Sequence, residues 1–428
     1  MNSSLITKNI SVEQLCIGLY VHLDIGWLKH SFARNSFKIK NDQQIVAIKQ
    51  LGLKTVRVEP GRSDCRPLPA NPAPDTGPTE IARPSPEELE LINAKKARIE
   101  KLIVESSAIA QCEKEFEKAA NTLKNISRNL FSRPQEAQRD ADQLIQQMLE
   151  SLLADKDIAI HLMNDKIAGE EAYYHSLNVS VLAMMLAKEL HLSEQDIKLI
   201  GVGCLFHDIG KIEIPDRIVN KTFALTKAEQ NLLQQHCLYG AAIAEKLGLP
   251  KQVIDIIQQH HEYADGSGYP NRLTSLQMSP LARIVSVVNA YDNHCNRPNP
   301  ADSLTPYEAL AYMFKQQRKL FEPAALDMFI HCLGVYPPGT IVQLSDATLG
   351  MVMSINSGKP LRPSVLIYDP DIPKHEAIIL DLSKELDLEV AASLRPKQLA
   401  PEVYEYLSPR KRMSYFMDTQ KASSKPRA

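Results

Sequence analysis

The central part of the chain carries a set of side chains that typically bind metal ions, five histidines and two carboxylates, which are Glu171, His175, His207, Asp208, His236, His260 and His261. They are too many for one ion, so we expect two or three closely spaced metal ions. Mixed nitrogen and oxygen ligands suit iron, manganese or zinc. Such a centre would hold a hydroxide between two ions as a nucleophile for phosphodiester cleavage at neutral pH.

Each part of this set has a second interpretation when it is taken alone. Glu171 and His175 are four residues apart, which on a helix places them one turn apart on one face, but polar pairs at that spacing usually lie on a solvated face. The adjacent His207 and Asp208 follow an apolar stretch, and a buried His–Asp hydrogen bond would explain them as well as a metal would. The metal prediction therefore depends on the whole set.

An acidic, glycine-rich turn follows the two adjacent histidines at 260 and 261, and it ends in tyrosine and proline. Gly266 and Gly268 would let the backbone approach a ligand closely. Tyr269 would either stack on a ligand or pack the loop down. This turn is therefore a candidate substrate-binding loop.

These stretches resemble the HD-GYP family, bacterial metal-dependent phosphodiesterases that act on cyclic dinucleotides in second-messenger signalling. Residues 207–211 match its HDxGK motif, and residues 260–270 match HHExxDGxGYP at nearly every specified position. The resemblance covers roughly residues 134–336. It implies an HD-type helical domain, iron or manganese as cofactors, and Asp208 as a bridge between two ions.

The resemblance also assigns residues to roles. The catalytic residues would be His207, Asp208 and Lys211, and Asn289 would be the eighth metal ligand. The substrate-binding residues would be Lys211, Asp265, Gly266, Gly268, Tyr269 and Arg297.

The sequence departs from the family after Arg283. Asn289 stands where the family has an aspartate ligand, and a neutral amide compensates metal charge less well than a carboxylate. Asp292 lies one helical turn later and would replace it only if the helix shifted. Arg297 comes one residue earlier than the first phosphate-binding arginine of the family. Substrate binding is therefore more in question than the metal centre.

The leading hypothesis is a phosphodiesterase that converts cyclic di-GMP to linear pGpG or, by a second cleavage, to GMP. One alternative is a degenerate sensor or scaffold that binds the nucleotide, or diguanylate cyclase partners through the loop at 262–270, without turnover. Another is a phosphodiesterase for a different cyclic dinucleotide such as cyclic GMP-AMP.

Composition limits the protein class. Lys and Arg number 49 against 51 Asp and Glu, for a net charge of −2, so no global field favours a nucleic acid polymer. No run approaches the roughly 20 apolar residues that span a membrane. The first eight residues lack the apolar core of a signal peptide, so we expect a cytoplasmic protein. The seven scattered cysteines resemble reduced thiols.

The predicted fold is multidomain: an all-α HD-type helical domain, a small N-terminal α+β domain and a small C-terminal β extension. Residues 1–66 form the N-terminal domain, in which Asp24 to Phe32 resembles a domain of unknown role that precedes some HD-GYP modules. A proline-rich linker spans 67–86, and an amphipathic helix spans 87–133, whose part up to about 125 would pair as a homodimer stalk or fold back on the chain. The helical domain is 134–336, and the β extension and tail are 337–428.

Overall fold

The computed structural model describes residues 7–25, 30, 32, 35–69, 93, 107, 111–154, 160–162, 171–355, 359–370, 372, 374, 377–385, 387–409, 413 and 415–417. Only the backbone is described at residues 154, 160–162, 171 and 417. The chain forms two compact units. The N-terminal unit comprises Met1–Glu105 and Tyr368–Ile378, and the helical unit comprises Ser106–Ile367 and Ile379–Ala428.

The described residues of the N-terminal unit include a four-stranded antiparallel sheet and the helix Asp42–Gln50. Asn41 caps the helix by accepting a hydrogen bond from the Gln44 backbone N–H at 3.0 Å. Alternating apolar residues of the strands, among them Val21 and Val56, form the core of this unit. In the sheet order β1-β4-β2-β3, the elements are β1 (Lys8–Ser11), β2 (Tyr20–His22), β3 (Ser36–Lys38), β4 (Thr55–Val58) and α1 (Asp42–Gln50). The predicted α+β class is confirmed.

The helical unit is built around α4 and α5, two apolar helices buried on nearly every side. Glycines in α5 allow close packing, since a Cβ at Gly203 would collide with the side chain of Ile256. The helices are α2 (residues 111–129), α3 (Pro134–Ala154), α4 (Glu171–Glu189), α5 (Glu194–Phe206), α6 (Asp216–Val219), α7 (Lys227–Gln234), α8 (His236–Lys246), α9 (Lys251–Gln259), α10 (Pro280–Cys295), α11 (Pro306–Gln316), α12 (Pro323–Leu333) and α13 (Pro401–Leu407).

The C-terminal part forms the predicted antiparallel β structure. Five strands pair in the order β10-β6-β7-β8-β9. They are β6 (Ile341–Leu344), β7 (Leu349–Ser354), β8 (Ser364–Ile367), β9 (Ile378–Asp381) and β10 (Val390–Leu394).

The helical domain also contains one strand that the sequence did not predict. Strand β5 (Ile160–Leu162) pairs with β11 (Tyr415–Met417), and Leu162 lies opposite Tyr415. The expectation of an all-α domain was therefore incomplete. Three residues carry too little periodicity to identify a strand whose partner lies so far along the chain.

The described part of the long predicted helix folds back on the chain. Phe116 and Leu123 of α2 are buried against α3 and α4 in the core of the helical unit. Asn93 and Ser107 are also helical. The rest of the segment from 87 to 110, the linker from residue 70 onward, Trp27 and the basic residues 410–412 lie outside the described residues.

All seven cysteines are free thiols, and five of them are buried. The Sγ atoms of Cys16 and Cys65, both partly exposed, are 3.1 Å apart. Among the described helices, none has the length and apolar character needed to cross a lipid bilayer.

Candidate metal centre

The His207–Asp208 pair reaches the centre through an unusually close backbone contact. Helix α5 ends at Phe206, and a 3₁₀ turn over Ile209–Glu213 follows. A Cβ at Gly210 would overlap the backbone of His236 and Gly240 on α8. Glycine is needed at position 210 because the turn lies directly against α8. This contact brings Asp208 beside His236.

Three of the predicted ligand histidines are oriented in the same way. Each ring directs Nδ1 at the backbone carbonyl three residues earlier, and because a carbonyl only accepts, Nδ1 carries the proton. In the neutral ring Nε2 then has a free lone pair, which is the form that binds a metal ion. The pairs are His207 with Cys204 at 2.7 Å, His236 with Leu233 at 2.7 Å, and His260 with Ile257 at 2.8 Å.

The free nitrogens face each other in pairs. Nε2 of His175 is 3.0 Å from Nε2 of His207, and Nε2 of His236 is 3.2 Å from Nε2 of His260. Two lone pairs at this distance repel each other unless a cation lies beside both. At the metal–nitrogen distance typical of protein sites, about 2.1 Å, two ligand nitrogens of one ion stand roughly 3 Å apart.

The carboxylate of Asp208 lies between the two pairs. Its Oδ2 is 3.4 Å from His207 Nε2 and 3.7 Å from His175 Nε2, while Oδ1 is 3.3 Å from His236 Nε2 and 3.8 Å from His260 Nε2. Two groups with metal-ligand spacing result, and they share Asp208: one with His175 and His207, the other with the three histidines 236, 260 and 261.

Asp208 Oδ1 is buried and has no hydrogen-bond partner within the described part of the protein. An unpaired buried carboxylate oxygen is costly, and a metal ion would compensate it. These residues therefore fit two metal ions with Asp208 between them.

Burial controls the protonation of the cluster. It lowers the pKa of His207 to about 4 and the pKa of His236 below its ordinary value, and it holds the pKa values of His260 and His261 well below theirs. For Asp208 burial alone would raise the pKa, but Lys211 and the surrounding histidines hold it well below the usual range. Neutral imidazoles around an ionised carboxylate are the forms that bind metal.

Asp292 contacts His175 on the ring nitrogen that does not face the cluster. It is fully buried, and its Oδ2 is 2.5 Å from Nδ1 of His175. Burial lowers the pKa of His175, but the Asp292 carboxylate outweighs this effect and the net pKa is raised. Asp292 thus fixes the ring that should present Nε2 to a metal, and it does not take the place of Asn289.

Asn289 lies on α10, one turn before Asp292, and is buried. Its Oδ1 accepts a hydrogen bond from Asn293 at 3.1 Å. Glu171 is the first residue of α4, one turn before His175, and its side chain is outside the described part. Their roles as ligands remain predictions.

The glycine-rich loop is tied down by the residues that flank the two histidines. The buried Glu262 carboxylate accepts hydrogen bonds from the backbone N–H groups of Asn271 at 2.6 Å and Leu273 at 3.0 Å. Gln259 accepts one from Ser279 at 2.7 Å, just before α10. The stretch 259–262 therefore contains the two candidate ligand histidines and also binds the backbone of residues 271–279 that follow the loop.

The predicted substrate-binding residues of this loop have several contacts within the protein. A Cβ at Gly268 would collide with the backbone of residues 261–263, so this close approach is made to the protein itself. Gly266 has a φ of +78°, which glycine adopts at low cost. Asp265 is exposed and accepts hydrogen bonds from Ser267. The Tyr269 ring stacks on His261 with centroids 4.5 Å apart.

Two predicted phosphate-binding cations lie in different surroundings. Lys211 donates a hydrogen bond to Asp208 Oδ2 at 2.5 Å, and 35% of its side chain is exposed. Arg297 lies after α10, and its guanidinium is 3.5 Å from Nδ1 of His294. Only Lys211 has a described contact with the metal cluster.

Sequence reasoning missed four supporting residues: Gln259, Glu262, Asn178 and Asn296. Glu262 is part of the quoted motif, and its charge was the available signal, because a buried carboxylate needs hydrogen-bond donors. Asn178 and Asn296 gave no such signal, because both bind backbone groups that lie 117 to 237 positions further along the chain.

Comparison with known proteins divides the chain into three matched regions. Residues 7–141 match a domain of unknown function (DUF3391), and residues 147–325 match the HD domain. Residues 341–402 match a KOW domain associated with the HD domain.

Among similar proteins, a cyclic di-GMP phosphodiesterase of Pseudomonas aeruginosa is 28% identical over 84% of this chain and 85% of its own length. A cyclic di-GMP phosphodiesterase response regulator of Xanthomonas campestris is 33% identical over 36% of this chain and 41% of its own length. A 3′3′-cGAMP-specific phosphodiesterase of Vibrio cholerae is 29% identical over 41% of this chain and 34% of its own length. The chain thus spans less than half of the latter two relatives.

Both motifs of the cluster lie within the residues that match the HD domain, the His207–Asp208 pair near its middle and the loop at 260–270 further on. The helical fold around them is the fold that the resemblance implies. The chain therefore contains a region that matches the HD domain, with a match to DUF3391 before it and a match to the KOW domain after it.

Proposed function

We propose that this protein is a metal-dependent phosphodiesterase that hydrolyses cyclic di-GMP to linear pGpG or, by a second cleavage, to GMP. The observation that carries the proposal is the position of Asp208. Its two oxygens face two pairs of histidine nitrogens, 3.0 Å and 3.2 Å apart within each pair, and one oxygen is buried without a hydrogen-bond partner among the described residues. Such a shared carboxylate suits a two-metal centre.

Metal ions in such a site activate water and neutralise phosphate charge. The ligands would be His175, His207, Asp208, His236, His260 and His261, with Glu171 and Asn289 as the predicted additional members. Lys211 supplies a positive charge at the edge of the cluster. Because its side chain is partly exposed, its ammonium group can turn from Asp208 to a phosphate oxygen that enters from solvent.

The substrate class is supported by the names of the similar proteins, which act on cyclic di-GMP or on 3′3′-cGAMP. The relative from Pseudomonas aeruginosa matches most of both chains, which favours cyclic di-GMP. We propose that Asp265, Gly266, Gly268 and Tyr269 form the nucleotide-binding loop, with Arg297 at a phosphate.

The test is product analysis with metal-loaded protein. Purified protein is reloaded anaerobically with Mn²⁺ or Fe²⁺ and incubated with cyclic di-GMP, and products are separated by chromatography. Linear pGpG or GMP is expected. His207→Ala and Asp208→Ala should abolish both bound metal and product, whereas His331→Ala, an exposed histidine at the end of α12, should change neither. Unchanged turnover in the first two variants would exclude this assignment.

Asn289 favours a second candidate function, a sensor or scaffold that binds the nucleotide without turnover. A neutral amide replaces a carboxylate, and its oxygen already accepts a hydrogen bond from Asn293. Tight binding of cyclic di-GMP with no product under any metal condition would favour this function. Competition between labelled cyclic di-GMP and cyclic GMP-AMP would separate the two substrates.

Several finer predictions belong to the same proposal. We expect iron or manganese in the centre, which elemental analysis of anaerobically purified protein would test. Diguanylate cyclase partners at the loop 262–270 would be tested by binding of the wild type and of loop variants. Dimerisation through residues 87–125 would be tested by sedimentation, and cytoplasmic location by cell fractionation.

A further inference from the structure

Two asparagines form hydrogen bonds with Asp292, the carboxylate that binds the His175 ring. Asn178 on α4 and Asn296 just after α10 both donate their side-chain N–H groups to Oδ1 of Asp292, the latter at 2.9 Å. Oδ2 of the same carboxylate contacts Nδ1 of His175. The position of the His175 ring therefore depends on the orientation of Asp292, which depends on the two amides.

The same two asparagines bind backbone groups of Met413 and Tyr415 in the segment 413–417, of which residue 414 lies outside the described part. Oδ1 of Asn296 accepts a hydrogen bond from the Met413 N–H at 2.8 Å, and Oδ1 of Asn178 accepts one from the Tyr415 N–H at 2.7 Å. Both amides also donate to the Met413 carbonyl, at 2.8 Å and 3.4 Å. The segment thus contacts both ends of each amide.

These backbone contacts determine which way each amide faces. A side-chain amide has an acceptor end and a donor end, and either could be turned toward Asp292. Because backbone N–H groups occupy the oxygens, the NH₂ groups must face the carboxylate. Without the segment, the oxygen of the buried Asn178 would lack a donor, and the amide could turn its oxygen toward Asp292 and repel it.

The segment is itself firmly anchored in the helical unit. Strand β11 pairs with β5, and Tyr415 is fully buried with its hydroxyl 3.2 Å from that of Tyr291 and 3.1 Å from the Pro338 carbonyl. Phe416 packs edge-on against Phe116, with ring centroids 5.4 Å apart. A rigid segment of this kind can fix the groups that bind to it.

We propose that the segment 413–417 is a positioning element of the metal centre, which acts through Asn178 and Asn296 on Asp292 and so on His175. The inference rests on the metal centre of the proposed function and is independent of the nucleotide. It assigns a role to a stretch that lies beyond the HD and KOW matches and far from every ligand in the sequence.

The direct test removes one backbone donor from the segment. Met413→Pro lacks the N–H that binds Asn296, whereas Met413→Leu keeps it and has a similar volume. Mn²⁺ binding to metal-free protein is followed by the EPR signal of the free ion. We expect Met413→Pro to lower the affinity for one of the two bound Mn²⁺ ions about 3- to 10-fold. This is the effect of one hydrogen bond lost from such a network. Met413→Leu should bind as the wild type does.

A double-mutant cycle separates positioning from general destabilisation. If the segment acts through His175, then Met413→Pro should weaken Mn²⁺ binding much less in a His175→Ala background than in the wild type. A purely structural effect would be additive with His175→Ala. Tyr415→Phe, which removes the hydroxyl contacts and keeps the backbone bonds, should lower stability without changing the affinity.

The outcomes distinguish this inference from the proposed function. Wild-type protein that binds no metal would contradict the metal centre itself. Wild-type protein that binds two ions, together with a Met413→Pro variant that binds both equally well, would overturn the positioning role. If Met413→Pro does not fold, Asn296→Ala decides: a metal affinity within twofold of the wild type would overturn the inference, and a loss of about 10-fold would support it.

Discussion

At the scale of single residues, the candidate centre is defined by which nitrogen of each histidine is already used. His207, His236 and His260 donate Nδ1–H to carbonyls three residues earlier in the chain, so their orientation follows from local backbone geometry. His175 differs because its Nδ1 binds the side chain of Asp292. It is therefore the ligand candidate whose position depends most on distant parts of the chain.

Asn289→Asp tests the departure from the family at the predicted eighth ligand. An aspartate keeps the acceptor that Asn293 uses and adds a negative charge that compensates a metal ion. We expect Mn²⁺ affinity to rise by about 10-fold or more, since even groups one shell beyond the metal change affinity 10- to 100-fold. Asn231→Asp is the control, because it makes the same substitution at an exposed position on α7. Equal effects of both changes would show that Asn289 has no special relation to the metal.

The sequence predicted the ligand candidates because each of them belongs to a local motif. The described side chains among them converge as the motif implies, and only His175 of that group needs a partner on a distant helix. Asn178 and Asn296 could not be predicted in the same way. An asparagine in a helix or just after one is consistent with many environments, and only the folded chain reveals that both contact Asp292.

At the scale of elements, glycines allow the close helix contacts that bring the motifs together. The 3₁₀ turn after α5 touches α8 at Gly210, and α5 touches α9 at Gly203. The sequence predicted the helices well, since their apolar periodicity is strong. It did not predict β5 and β11, because three-residue strands are stabilised by pairing and have no pattern of their own.

Gly210→Ala tests the contact between the 3₁₀ turn and α8. The new Cβ would overlap backbone atoms that cannot move independently, so we expect a loss of about 3 kcal/mol in the free energy of unfolding. The shift of Asp208 away from His236 should also weaken metal binding. Gly248→Ala is the control: it has a φ of +70° with no neighbour within 4 Å, and it should cost only about 1–2 kcal/mol and leave metal binding unchanged. Denaturant unfolding and Mn²⁺ titration would measure both, and unaltered metal binding in Gly210→Ala would contradict this account.

Glu262→Gln tests the attachment of the glycine-rich loop. The amide replaces one of two acceptor oxygens by a donor, so one of the Asn271 and Leu273 N–H groups loses its partner. Hydrogen exchange at these two amides should accelerate about 10-fold or more, as expected for a lost charge-assisted bond. Glu308→Gln makes the same chemical change at the cap of α11 and should leave both amides protected. Unchanged exchange in Glu262→Gln would show that other contacts hold the loop.

At the scale of the whole molecule, the described residues form one hydrophobic core in the N-terminal unit and another in the helical unit. The core of the N-terminal unit consists of residues between Ile10 and Val58, and all candidate ligands belong to the helical unit. Strand and helix patterns in the sequence predicted the α+β fold class of the N-terminal domain, but they indicated no function for this domain. The boundaries between the predicted domains remain predictions.

Metal binding should stabilise the unit that contains the ligands. At a metal concentration 100 times the dissociation constant, one bound ion adds about 2.7 kcal/mol to the free energy of unfolding. We therefore expect the thermal midpoint of the helical circular-dichroism signal to rise with Mn²⁺. The fluorescence of Trp27, the one tryptophan in the sequence, belongs to the other unit and should shift less. A helical midpoint that does not move at saturating metal would contradict the assignment of the centre to this unit.

The contacts of Asn178 and Asn296 with the segment 413–417 also determine when the centre can mature. Asn178 is separated from Tyr415 by 237 positions, and Asn296 from Met413 by 117. During synthesis, every candidate ligand therefore leaves the ribosome long before Met413 and Tyr415. The backbone of these two residues orients Asn178 and Asn296, and through them Asp292 and His175. A nascent chain halted between these positions would hold the complete ligand set in an immature arrangement. The nascent chain would bind its metal ions only after the segment 413–417 had been translated.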